Sequence, residues 1–331
     1  MDVFWGLTRS EWLDRLAACP RATYFHTPTW LDGVVAAFGG YVRGVEFRFP
    51  DGNWALMPMT IKPYAKGFFH HGYSGESGVY GGALSPRPLT PEQEASIYSV
   101  LASRYPNLQV FGNPFGEGEL PEGAGWERFS HATHVLDLAP AEEMRAAFSR
   151  GCRARGNKAR RAGITTEVYA GSDGAALYYA LYLDSIRRWG EKVTWVRPLA
   201  FFEAVLAAGA PHAVLHLARY EGRPAAAMIV CAWGDIAHYL AGASDARLME
   251  HCPSNLLMEE AAAYWHAQGK RFLDLGSSNG LEGVIQFKES FGAKARGYAE
   301  IRQQGALGRL YFRLHRPYRR LKQTMAEKLN L

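Results

Sequence analysis

Arg271–Arg296, RFLDLGSSNGLEGVIQFKESFGAKAR, is the stretch on which the fold turns. Phe272-Leu273-Asp274-Leu275 has the composition of a strand, and Gly276-Ser277-Ser278-Asn279-Gly280 is too rich in turn formers to continue it. The chain then restarts with apolar residues at Val284, Ile285, Phe287 and Phe291, a helical spacing, and stops at Gly292. Lys288 rides in that helix one turn past the loop and beside Phe287. Its ammonium is expected to project toward whatever the loop faces.

Outward from this segment the same alternation recurs. Upstream, 213–220, 223–233 and 235–243 read as three successive strands, the first two joined at Glu221-Gly222, and a helix over 253–268 leads into the segment. A last strand is expected over 295–302. Before them the pattern restarts near Ala139-Pro140, with a basic helix over 142–162 ending at Gly163, a strand over 164–169, a helix capped by Asp173 that runs to Trp189, and a helix over 198–208. The N-terminal half has a helix over 9–19 with Ser10 as its cap and another from Pro28 to about Phe38. Strands over 41–49 and 53–61 follow, joined by the turn Pro50-Asp51-Gly52. Gly67–Leu84 is dense in glycine and without periodicity, and is expected to be a loop with strand fragments. A helix over 90–104 and strands over 108–111 and within 126–138 complete the half. The order suggests two copies of one α/β unit.

At 331 residues, 48% hydrophobic and 21% charged, the chain has room for two domains of about 150 residues, each with its own core. No apolar run approaches the roughly 20 residues that cross a bilayer. The N-terminus carries Asp2 and lacks a basic stretch ahead of an apolar one, so no secretion signal is read and a cytoplasmic location is expected. Cys19, Cys152, Cys231 and Cys252 form no C-x-x-C pair, which argues against a zinc ribbon or a disulfide scaffold. His131 and His134, three apart on an expected strand, point to opposite faces, and no metal site is expected. The net charge of +5 is concentrated in two places. Arg145, Arg150, Arg153, Arg155, Lys158, Arg160 and Arg161 follow one another with no acid between them, and Arg309–Lys328 is similarly basic. Such clusters suit an anionic partner: the phosphates of a donor or of tRNA, or an anionic membrane surface.

Asp274-x-Gly276, then Gly283 and Phe287-Lys288-x-x-Phe291-Gly292, is similar to the C-terminal signature of the Fem-type aminoacyltransferases and their GNAT-superfamily relatives, the BioF2-like (Acetyltransf_6) proteins. The resemblance implies an α/β (α+β) chain of two tandem GNAT (acyl-CoA N-acyltransferase-like) domains. On this reading 1–138 is a degenerate GNAT-like domain, 139–305 the GNAT domain that carries the site, and 306–331 a basic amphipathic tail. The resemblance spans most of 135–300 and covers the N-terminal half more thinly. There, Tyr80-Gly81-Gly82 resembles a YGG element of the family, and paired glycines let backbone approach a ligand or a neighbouring domain closely.

The resemblance also implies roles. Lys288, positioned by Phe287, is expected to be the catalytic cation where an attacked carbonyl oxygen gains charge. No dedicated base stands out, and Asp274, Glu282 and Glu289 remain open. Tyr182, Ser185 and Arg188 in LYYALYLDSIRRWG resemble the family's tyrosine-threonine-arginine pattern, and Tyr239 falls where relatives have a tyrosine facing the acceptor. Tyr80, Tyr182, Arg188 and Tyr239 are therefore the expected substrate residues. Lys158, Arg160 and Arg161 resemble the family's basic stretch, from which Gly156 departs, and with Asn255 and Ser277 they are expected to hold donor phosphates. The glycines of an acyl-CoA loop are missing from Ala246–Asn255, and no long charged heptad insertion of the kind seen in peptidoglycan-acting members is present. Acyl-CoA and aminoacyl-tRNA both stay open as donor co-substrates, with no tightly bound cofactor.

The implied activity is transfer of an acyl or aminoacyl group to an amine or hydroxyl of a cell-envelope or polysaccharide precursor. Two alternatives stand beside it. One is a tRNA-dependent aminoacyltransferase acting on a peptidoglycan precursor; the other is a non-catalytic GNAT-fold module that binds RNA or anionic membrane. No DNA partner is expected. The tail, LGRLYFRLHRPYRRLKQTMAEKLNL over 307–331, suits a surface helix, tRNA or the inner face of a membrane, with Leu310, Phe312, Leu314 and Leu321 partly inserted in the last case.

Overall fold

Threonine and proline open the N-terminal helices. Thr8 caps α1 (Arg9–Ala17) in a reciprocal box with Glu11, Thr27 caps α2 (Pro28–Phe38), and Thr90 caps α3 (Pro91–Arg104) in a box with Gln93. The first cap is Thr8 and not Ser10, because only Thr8 has a glutamate three residues on to close the box. In the structure, a computed structural model that describes residues 1–76, 78–116, 120, 125–189 and 196–314, twelve strands form one mixed sheet. They are β1 (Asp2–Trp5), β2 (Tyr41–Arg48), β3 (Trp54–Tyr64), β4 (Phe69–Ser74), β5 (Asn107–Phe111), β6 (Glu127–Asp137), β7 (Thr165–Ala170), β8 (Ala213–Tyr220), β9 (Arg223–Trp233), β10 (Ile236–Ser244), β11 (Phe272–Ser277) and β12 (Lys294–Gln303).

Their spatial order is β1-β2-β3-β4-β5-β12-β6-β11-β10-β9-β8-β7. Each half runs as an antiparallel meander of four strands that ends in a parallel pair, β4 with β5 and β10 with β11. The sixth place in each half is taken by the other half's strand: β12 lies antiparallel to β5, β6 lies antiparallel to β11, and β12 and β6 pair with each other. Two copies of one unit are thus joined by an exchange at the centre of the sheet.

The expected basic helix is two helices, α4 (Ala141–Ala147) and α5 (Arg150–Arg161). Phe148 turns extended so that its ring packs on Phe291 at 5.1 Å, and Ser149 caps the new helix while its N–H donates to the Ser290 carbonyl. The remaining helices are α6 (Ala175–Trp189), α7 (Leu199–Ala207), α8 (Pro253–Ala267) and α9 (Glu282–Glu289). Asp173 does not cap α6; it lies in a short 3-10 turn just before it.

Among the described residues three large cores hold the layers, beside a small cluster of Phe115, Val135 and Ile236. On one face α1 and α2 share a core with α6 and α7 of the other half, where Trp30 meets Phe201 edge to face at 5.8 Å. A second core packs α5 and α8 on β8–β11 around Trp265, and a third packs α3 on the N-terminal strands around Met57 and Met59. Fully buried side chains of this size each contribute about 1.5–3 kcal/mol relative to exposure.

Gly67–Leu84, expected to be a loop with fragments, contains the complete strand β4. Its continuation turns back over the end of the parallel pair. The Gly81 N–H donates to the Phe111 carbonyl at 2.9 Å and the Gly82 N–H to Ser74 Oγ at 2.9 Å. A Cβ on Gly81 would collide with the Gly75 nitrogen and Ser74 Oγ, so the glycine is required by the closeness of two backbones. Residues 306–314 are helical, and Tyr311 and Phe312 pack on Tyr64 and Phe69. Leu321 and the rest of the expected tail from 315 on lie outside the described residues.

Candidate active site

Asp274 marks the point where the second parallel pair opens. β10 and β11 pair at Ile236 with Phe272, Ala237 with Leu273 and His238 with Asp274, and there the pairing stops. β10 bulges between Tyr239 and Ala241, and β11 loses regular register with β6 between Asp274 and Ser277. The parted strands leave a hollow of about 250 Å³ lined by Tyr80, Arg197, Tyr239, Asp274, Gly276 and Ser277, among others. Gly276, at φ +73°, turns its N–H back onto Asp274 Oδ1 at 2.8 Å, a geometry that a side chain would strain.

The Asp274 carboxyl is buried and accepts short hydrogen bonds from the Tyr80 and Thr133 hydroxyls. Burial pushes it up to about 7, against the Gly276 N–H and the positive charges of Lys288 and Arg296. His238 Nδ1 lies 3.3 Å from Asp274 Oδ2 without a hydrogen bond, and burial holds the ring neutral by lowering it to about 3. Lys288, on α9, is buried too. Its Nζ donates to the carbonyls of Gly276 at 2.7 Å and Ser277 at 3.0 Å, and burial lowers it to about 8 while the Asp274 charge opposes the shift. The site therefore holds a carboxyl and an ammonium that both change charge close to neutral pH, a pattern typical of catalytic sites.

The expected site residues divide into those gathered here and those placed elsewhere. Tyr80, Tyr239 and Ser277 line the hollow. Lys288 stands behind its wall, touching it through the two carbonyls it holds. Phe287 packs on Phe291 at 5.1 Å and anchors α9 to the core. Tyr182 is one layer back, its hydroxyl accepting from the Arg197 N–H at 3.0 Å. Arg188 is exposed and reaches the Ser244 carbonyl and Met249, away from the lining. Asn255 is buried in the first turn of α8, with no hydrogen-bond partner for its amide nitrogen among the described residues.

Lys158, Arg160 and Arg161 lie on α5, away from the hollow, and Arg160 is engaged with Glu259 and Glu260 of α8. Arg145 also pairs with Glu259. The acids that offset this basic run are thus supplied by a helix about a hundred residues downstream, which local spacing does not reveal. Gly156 belongs to the same contact, because a Cβ there would sit 2.8 Å from Glu259 Oε2.

Several residues of the site were not expected. Thr133, on β6, reaches Asp274 only because that strand is exchanged into the second half. Arg197 and His238 line the hollow beside Phe25. Arg197 precedes α7 in a Val-Arg-Pro stretch whose one visible signal is a cation just outside a helix start.

Residues 146–289 match the model of the acetyltransferase (GNAT) domain family. No curated protein sequence matches the chain. Among solved structures, FemX aligns with a TM-score of 0.68 at 13% identity, over 90% of this chain and 97% of its own. The C-terminal domain of a putative lysylphosphatidylglycerol synthetase from Agrobacterium fabrum aligns with a TM-score of 0.56 at 13% identity, over 92% and 95%. A conserved protein of unknown function from Bacteroides thetaiotaomicron aligns with a TM-score of 0.57 at 10% identity, over 90% and 98%. The chain shares the fold of FemX over almost its whole length, and the opened β10–β11 pair, with its carboxyl and ammonium, lies in the segment that matches the acetyltransferase (GNAT) domain family.

Proposed function

We propose that the chain transfers an acyl or aminoacyl group to an amine or hydroxyl of a cell-envelope or polysaccharide precursor, from acyl-CoA or aminoacyl-tRNA. The observation that carries the reading is the pairing, at one hollow, of a carboxyl titrating near 7 with a buried ammonium. Acyl transfer needs an acceptor for the nucleophile's proton and positive charge where the carbonyl oxygen becomes negative. Asp274 suits the first role. Glu282 and Glu289 do not, since both are exposed and Glu282 is engaged with Gln286. Lys288 suits the second from behind the wall, its charge held on the carbonyls of Gly276 and Ser277 that bound the hollow.

The steps follow. The acceptor's nitrogen or oxygen attacks the acyl carbon and its proton passes to Asp274. The carbonyl oxygen's charge is met by the field of Lys288 acting through the wall of the hollow, and collapse expels the thiol of coenzyme A or the ribose hydroxyl of tRNA, to which Asp274 returns the proton. Tyr80 orients Asp274, Tyr239 and Ser277 bound the acceptor, and Arg197 offers charge to an anionic group on it. On this reading the reacting groups, Asp274 and Lys288, fall in 139–305, and Tyr80 and Thr133 of 1–138 hold the carboxyl. The envelope setting draws support from the shared fold with FemX and with the lysylphosphatidylglycerol synthetase domain. The pairing of Arg145 and Arg160 with Glu259 takes away part of the basis for a purely anion-binding module.

The test is a thermal-shift titration of the protein with acetyl-CoA, longer acyl-CoAs and aminoacyl-tRNA, followed by transfer assays with the donor that raises the melting temperature. Lys288→Met is expected to lower turnover about a hundredfold or more while the melting transition persists. Unchanged turnover in a folded Lys288→Met protein removes the ammonium from the mechanism.

A further inference from the structure

A second, larger hollow of about 570 Å³ lies in the N-terminal half, at the starting ends of β4 and β5. Its wall is aromatic and cationic: Trp5, Tyr41, Tyr105 and Phe69 with Arg43 and Arg104. Among the described residues no carboxylate lines it. The Arg104 guanidinium stands 5.9 Å over the Trp5 ring and that of Arg43 stands 5.4 Å from Tyr41, and both act on the Tyr105 hydroxyl. Arg43 Nε is buried with no hydrogen-bond partner among the described residues. Two guanidinium-bearing side chains on the wall of one hollow favour an anion there.

The rim gives the anion its character. Phe68, at the tip between β3 and β4, is 87% exposed, and Leu307, Leu310 and Leu314 are more than half exposed on the helix over 306–314. Lys66, Arg309 and Arg313 stand among them, and residues 303–314 contain no acid. Large apolar side chains left in water, interleaved with cations and free of carboxylates, form the pattern of a surface that enters the headgroup region of an anionic bilayer.

We propose that this hollow takes the anionic headgroup of a bilayer phospholipid, with Arg43 and Arg104 on the phosphate and Phe68 and Leu307 against the acyl chains. A soluble phosphate would use the arginines but leave the apolar rim in water.

Co-sedimentation of the full chain with phosphatidylcholine vesicles, with and without phosphatidylglycerol, tests it. Binding is expected only with phosphatidylglycerol. Phe68→Ser with Leu307→Ser should weaken it about tenfold, and Arg43→Gln about fivefold, with melting curves confirming that each variant folds. Should Arg43→Gln fail to fold, the Phe68→Ser variant decides alone, since that side chain contributes almost nothing to the core. Equal binding to both vesicle types overturns the proposal, and so does binding that neither substitution changes or that Arg43→Gln leaves intact. Stabilisation by inorganic phosphate without vesicle binding, or retention by RNA without vesicle binding, overturns it as well.

Discussion

The two parallel pairs, β4 with β5 and β10 with β11, began from one plan and end differently. The first stays paired from His71 with Asn107 to Ser74 with Val110, and its own backbone at Gly81 and Gly82 then closes the end. The second lets go at His238 and Asp274 and keeps the space open. The residue next to the closing glycine, Tyr80, spans 194 positions of sequence to hydrogen-bond the carboxyl of the open pair. The half without an opening therefore helps to build the other half's hollow, because the segment that seals one gap furnishes a wall of the next.

Three substitutions sharpen or break this contrast. The largest effect belongs to Asp274→Asn, expected to cut transfer about a hundredfold or more if the carboxyl is the base. It carries a sign test too. The folded carboxyl titrates near 7 and an unfolded one near 3.8, so between these values the native state binds the extra proton and this group's contribution to stability falls as pH rises. Asn lacks that slope. Denaturant curves at about pH 4 and about pH 8 should show the variant gaining on the wild type toward the higher pH, and a pH-independent difference would mean the carboxyl is not held protonated.

Next is Gly81→Ala, whose methyl would strike Gly75 and Ser74 backbone and side chain. A loss of about 2 kcal/mol in denaturant midpoint is expected, with transfer falling in parallel because Tyr80 moves with its neighbour. A stable, fully active Gly81→Ala protein would show that closure of the first pair and assembly of the site are independent. The smallest effect is that of Tyr80→Phe, which removes one hydrogen bond from Asp274 and is worth about 1 kcal/mol, or a few-fold in rate. The base should titrate higher in the variant, so the alkaline shift of the pH–rate profile is the readout that separates orientation from packing.

What local pattern can reveal is visible in how these elements match their sequence. Pro28, Pro91 and Pro253 stand in the first turns of α2, α3 and α8, and the meander β8–β10 follows strand-like runs broken at Glu221-Gly222. β4 was hidden because FHHGYS has no clean alternation and carries Gly72, whose Cβ would meet Met59 at 2.8 Å. The break at Phe148 was hidden because its cause, the Phe291 ring and the Ser290 carbonyl, lies far along the chain. The same reason conceals most of the site. Lys288, Ser277 and Asp274 fall in one short segment with a turn between them, whereas Thr133, Tyr80, Arg197 and His238 meet them only after the sheet is complete. The Arg160–Glu259 contact shows the reverse error, in which a local run of charge looks unbalanced until a distant helix is packed against it.

The exchanged strands also bear on how the protein is made. β5, synthesised early, finds no partner on its outer side until β12 leaves the ribosome, close to two hundred residues later. For that interval the nascent first half carries an unsealed hydrogen-bonding edge, a known hazard for intermolecular pairing, and its folding must wait on translation of the second.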